Sequence, residues 1–165
     1  MQVADSSALF EACRRNDVAT VQQICESNPE LMSYQDAKGF TPVLIAVYNQ
    51  SPDVVAYLLK QGAPADVPDA SGNTALMGAS FKGYRDMVKA LLDAGVEVNQ
   101  QNGNGATALT FAATFGQMEI AEDLLKRGAS VHMPDVRGKN PIDHAVIQGN
   151  EPMVRLLERY ERGEQ

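Results

Sequence analysis

The stretch Asp69-Ala70-Ser71-Gly72-Asn73-Thr74-Ala75-Leu76 decides the fold, because its parts return along the chain at one fixed interval. Thr74-Ala75 is matched by Thr41-Pro42, Thr107-Ala108 and Asn140-Pro141, and Gly72 by Gly39, Gly105 and Gly138, always in steps of 33 residues. Asp69 finds Asp36, Asn102 and Asp135 at the same spacing. Further out, Gly95 repeats as Gly62 and Gly128, Leu91-Leu92 as Leu58-Leu59 and Leu124-Leu125, and Ala79 as Ala46, Ala112 and Ala145. A period between about 20 and 50 residues marks structural units that stack on one another.

Each unit has a physical reading. Thr or Asn before Pro or Ala is an N-cap followed by the first helical position, where the side-chain oxygen accepts from a free amide and Pro has none to leave unpaired. The first helix ends near Gly83, Gly116 and Gly149, with Gln50-Ser51-Pro52 doing that work in the first full unit. A second helix carries an apolar stripe, as in Met87, Val88, Leu91 and Leu92, and stops at Gly62, Gly95 or Gly128. The polar segment from there to the next Thr, with Gly in its fourth place, reads as a projecting turn.

A helix-turn-helix plus projecting turn every 33 residues resembles the ankyrin-repeat family. The strings Gly39-Phe40-Thr41-Pro42, Gly72-Asn73-Thr74-Ala75-Leu76 and Gly128-Ala129-Ser130-Val131-His132 carry the resemblance. It implies an all-α solenoid with β-turn fingers: an N-terminal capping repeat at 5–35, full repeats at 36–68, 69–101 and 102–134, a C-terminal capping repeat at 135–160, and a frayed tail at 161–165. The usual His after the T-P-L motif is replaced by Leu44, Met77, Thr110 and Asp143, so its side-chain bonding is not carried over. The strings Ala75-Leu76-Met77-Gly78-Ala79 and Phe111-Ala112-Ala113-Thr114-Phe115-Gly116 look most like stand-alone bacterial members. Ser7 to Ser27 resembles a first helix pair offset by 34 residues. Glu158 stands where Leu59, Leu92 and Leu125 stand, so a charge marks the outermost helix.

Composition narrows the function. Twenty-one acidic against fourteen basic side chains give a net charge of −7, the wrong sign for a general polyanion binder. No stretch reaches the roughly 18 apolar residues of a membrane span, and the N-terminus lacks a signal-peptide pattern. A cytoplasmic protein is the expectation, although a start left by signal-peptide removal would read the same way. Cys13 and Cys25 are too few for a disulfide scaffold and read as reduced, packed thiols.

Candidate chemistry dissolves under the repeat. Gly103-x-Gly105-x-x-Ala108 imitates a dinucleotide fingerprint but lacks the preceding strand and sits at a projecting turn. His132, Asp135 and His144 suggest a metal set, yet His132 occupies a turn position held by Asn99, and His144 a packed position held by Ile45, Gly78 and Phe111. Asp53, Asp86 and Glu119 recur at second-helix starts, where negative charge meets the positive end of the helix dipole. No catalytic residues, cofactor or metal are therefore expected.

The residues that differ between units are the informative ones. In the family that this chain resembles, turn tips and first-helix ends line the concave face, which here selects Arg14, Arg15, Lys38, Phe40, Tyr48, Asn49, Asn73, Phe81, Lys82, Thr114, Phe115, Arg137, Lys139, Ile147 and Gln148. The turn-tip positions Ala37 and Ala106 belong to the same set. Four aromatics lie there, Phe40, Tyr48, Phe81 and Phe115, either as anchors for a partner or as packing that stiffens the array. Six of the fourteen basic residues lie there too. The expectation is a monomeric, non-catalytic module that binds a protein segment carrying carboxylates beside apolar side chains, with no nucleic acid or membrane as partner. Its alternatives are a self-associating scaffold and a small metal-dependent enzyme.

Overall fold

A computed structural model describes residues 2–164, with side chains from Asp5 onward. Among these residues the chain forms five helix pairs and no strand: α1 (Gln2–Arg14) with α2 (Val18–Ser27), α3 (Pro42–Tyr48) with α4 (Pro52–Lys60), α5 (Ala75–Lys82) with α6 (Arg85–Asp93), α7 (Ala108–Thr114) with α8 (Met118–Lys126), and α9 (Pro141–Ile147) with α10 (Glu151–Glu161). First helices pack on first helices and second helices on second helices, so the array has an inner and an outer row.

The caps explain the starts. Thr41, Thr74, Thr107 and Asn140 each accept, through the side chain, the amide of the residue three further on. At the positions that lack the usual His, Met77 Sδ, Thr110 Oγ1 and Asp143 Oδ2 accept from the N-cap amide and close the reciprocal bond in their own way. Reversals between paired helices all use left-handed backbone. Asn16 and Gln50 adopt φ of 57° and 51° in the register that glycine holds in the later units.

Each finger is an Asx turn. A single Oδ1 atom of Asp36, Asp69, Asn102 or Asp135 accepts two backbone amides, those of the second and fourth residues after it. Successive fingers are then tied together: the amides of Ala70, Gly103 and Val136 donate to the carbonyls of Lys38, Ser71 and Asn104, each at 3.0 Å.

The core runs the length of the array. Leu9, Leu44, Leu58, Leu91, Leu109, Leu124 and Leu157 are almost fully buried, and removing one such side chain from water contributes about 2 kcal/mol. Cys13 and Cys25 are buried free thiols, and burial pushes the Cys13 thiol up to about 12, which keeps it neutral.

Two terminal features differ from the sequence reading. Helix α1 begins at Gln2, ahead of the Ser7 start, because the helix continues beyond the register shared with other units. The second lies in the tail read above as frayed from 161, whose first residues are hydrogen-bonded to α10. Helix α10 includes Glu161, and the amides of Gly163 and Glu164 donate to the carbonyls of Tyr160 and Arg159 and close its end. Gln165 lies outside the described residues.

Candidate functional site

Fingers and first helices share one face, and a groove of about 370 Å³ opens in its middle. Tyr48 of α3, Asp69 and Asn73 of the second finger, Met77, Gly78, Phe81 and Lys82 of α5, and Phe111 of α7 line it. Gly78 creates the room, since Ile45, Phe111 and His144 hold that register in other units. The Tyr48 ring fills part of the space: a Cβ on Gly78 would lie 2.2 Å from its Cε1.

The four candidate aromatics separate into two pairs. Phe40 and Tyr48 are half-buried and meet edge to face at 5.6 Å. Burial, and then the Asp69 carboxylate to which it is hydrogen-bonded, push the Tyr48 phenol up, so it stays neutral. Both rings belong to the first full unit, and Tyr48 reaches the next one through Asp69. Phe81 and Phe115 are 45% and 52% exposed, and their rings meet edge to face at 4.7 Å with Phe111 behind Phe81. Two large apolar rings left this open form the face's central apolar patch.

The polar candidates vary in freedom. Asn49 donates its side-chain amide to the Ile45 carbonyl, Thr114 its hydroxyl to the Thr110 carbonyl, and Asn73 accepts from Asn102. Lys82 Nζ donates to the Tyr48 carbonyl at 3.1 Å and also stands 5.9 Å from the Tyr84 ring centre, which places its charge at the groove's edge. Arg14 and Arg15 lie 3.9 and 3.7 Å from Glu11. Lys38, Arg137, Lys139, Ile147 and Gln148 are exposed, whereas Ala106 is buried.

Charge is divided between the two sides. The first helices, Arg15 and the fingers hold six basic residues and six acidic ones, namely Asp5, Glu11, Asp36, Asp69, Asp135 and Asp143, which leaves eight basic against fifteen acidic for the remainder. The whole net charge of −7 thus resides off this face. The finger carboxylates are also occupied. Asp135 is held below the ordinary carboxylate range, first by the Lys139 amide and then by His144. Elsewhere the outer row is knit by ion pairs, with Arg85 donating to Asp123 and Glu119, and Arg127 to Asp93.

His132, Asp135 and His144, weighed above as a metal set, do not form a cluster of three potential ligands among the described residues. His144 Nε2 is 2.8 Å from Asp135 Oδ2, a contact between finger and helix that the sequence reading of a packed histidine did not contain. His132 instead lies 3.6 Å from Glu161. The Gly103–Ala108 segment is the third finger, followed by α7 with no strand before it among the described residues. No described helix is long and apolar enough to cross a membrane.

Groove residues Met77, Gly78 and Phe111 were missed because a core register and a surface register meet there. The readable signal was Gly78, the small residue in a register otherwise bulky.

Comparison with known proteins agrees with this architecture. The family model for ankyrin repeats in three copies matches residues 9–102 and again 94–163. The chain is also 38% identical over 61 residues to the 2-5A-dependent ribonuclease of Mus musculus, a match covering 37% of this chain and 8% of that protein. Capped helix pairs, Asx-turn fingers tied tip to tip and a family match over nearly the whole length lead to one assignment: the chain belongs to the ankyrin-repeat family.

Proposed function

We propose that this protein is a non-catalytic binding module that takes a protein segment along the face of fingers and first helices, the concave face of an ankyrin array. Ankyrin repeats are in general protein-interaction modules. The observation that carries the reading here is the open Phe81–Phe115 pair beside the Gly78 groove, with Lys82 at its edge. An apolar side chain of the partner enters the groove, and a carboxylate next to it meets Lys82. Aromatic anchors in a small pocket dominate such interfaces, with truncation costs of about 2 kcal/mol each.

Capture from the native source identifies the segment, and titration calorimetry then measures its affinity for wild type and for the Phe81→Ala, Phe115→Ala double variant. The expected result is a loss of roughly 2–4 kcal/mol in binding with a melting temperature nearly unchanged. Equal losses of stability and binding would mean that the rings only stiffen the array.

A further inference from the structure

One contact between first helices of adjacent units occurs twice in the middle of the array, in opposite forms. Tyr48 of α3 meets the register of Gly78 in α5, and Phe81 of α5 meets the same register one unit on, at Phe111 of α7. At the first, Gly78 has no side chain and the Tyr48 ring occupies its place, with Cδ1 at 2.8 Å and Cζ at 3.3 Å from where a Cβ would stand. At the second a ring is already present. Phe111 meets Phe81 edge to face at 6.2 Å, and Phe81 is left 45% exposed while Tyr48 is half-buried.

Two further differences act in the same direction. The Tyr48 phenol is hydrogen-bonded to Asp69 on the finger that follows it, and Phe40 on the finger that precedes it packs against its ring. Phe81 has no hydroxyl to offer. The residue in the register of Asp69 is Asn102, whose side-chain amide is given to Asn73, and Asn73 itself stands in the register of Phe40. Room beneath the ring, a bond to the next finger and a ring on the preceding finger thus hold Tyr48 down and have no counterpart at Phe81, which meets the open Phe115 ring instead.

We propose that Gly78 and Phe111 are the positioning residues of the central groove: the missing side chain at Gly78 keeps Tyr48 low and the groove open, and the Phe111 ring keeps Phe81 raised as an anchor. All four residues line that groove. The inference rests on the reading of Phe81 as a partner anchor and assigns the cause of its exposure. A side chain at position 78 would drive the Tyr48 ring outward, into the space meant for the partner's apolar side chain. A glycine at position 111 would let Phe81 sink as Tyr48 does. Gly78 lies within α5 without left-handed backbone, so Gly78→Ala tests the space alone and introduces no backbone strain.

Hydroxyl-radical footprinting read by mass spectrometry follows the solvent access of each native side chain in the full chain, with no partner present. Oxidation of Tyr48 is expected to rise several-fold in Gly78→Ala. Oxidation of Phe81 is expected to fall several-fold in Phe111→Gly, whereas removal of a neighbouring ring from a fixed frame, or a loosened helix, makes it rise. Tyr57 of α4 reports the integrity of the fold. Unchanged Tyr48 in Gly78→Ala, or unchanged or faster Phe81 oxidation in Phe111→Gly with Tyr57 unaltered, would overturn the proposal; where Tyr57 shows that Phe111→Gly has unfolded, the Gly78→Ala result decides. Calorimetry with the captured segment separates this proposal from the binding reading, since both variants are expected to bind it roughly tenfold more weakly. Footprints that shift as expected with affinity unchanged would overturn the anchor role of Phe81 and support the positioning.

Discussion

Gly95 and Gly105 both adopt left-handed backbone, with φ of 87° and 77°, yet they do so for different reasons. Gly95 ends α6, and nothing lies within 4 Å of the Cβ it lacks. Gly105 lies in the third finger, where a Cβ would meet Asp135 Cα at 2.9 Å. Gly95→Ala should therefore cost only the strain of the conformation, about 1 kcal/mol. Gly105→Ala should cost distinctly more, since the fourth finger's backbone must also move. Chemical denaturation of the two variants checks this order; equal losses would show that the finger yields without cost. The need for glycine at both positions was legible from the 33-residue spacing. The second reason at Gly105 was not, because the atom it avoids belongs to a residue 30 positions away.

At the scale of the element, the finger is stabilised by one carboxylate oxygen, and this makes the fourth finger sensitive to acid. Asp135 is held below the ordinary carboxylate range in the folded chain, first by the Lys139 amide and then by His144. A lowered value means that its contribution is complete above the ordinary range, about pH 4, and is lost as pH falls through the lowered value. Asn102 accepts the same two amides in the third finger without a charge. Asp135→Asn should keep the turn, lower the melting temperature by about 2–4 °C at pH 7, and flatten the decline below about pH 4 so that the two curves converge. Parallel curves for wild type and variant would remove the carboxylate from the account. Helix starts, finger positions and second-helix stops were all readable at this scale, since caps and turns are local bonds. The Gln2 start of α1 was not, because it precedes the repeating register that guided the reading.

At the scale of the whole molecule, electrostatics and apolar anchors act together. A charge-balanced face on a body carrying −7 attracts an acidic partner more readily than the rest of the surface does. Association of the captured segment with wild type should slow several-fold as salt rises from about 20 to about 500 mM, because exposed charges are screened beyond a Debye length of about 8 Å at physiological ionic strength. Lys82→Glu with Arg137→Glu, which makes the face net negative, should be slower at low salt and speed up as salt rises. Stopped-flow rates that are flat and equal for both proteins would remove the electrostatic contribution and leave the aromatic one standing. The sequence by itself determined the array: its period, its caps, its fingers and its apolar stripes. Each of these rests on interactions within one unit, repeated often enough to be recognised. Only the tertiary structure decided which aromatics stay open, that Tyr48 turns into the space above Gly78, and that His144 reaches Asp135. Those outcomes depend on what the neighbouring element places against a side chain, and a linear register does not contain that contact.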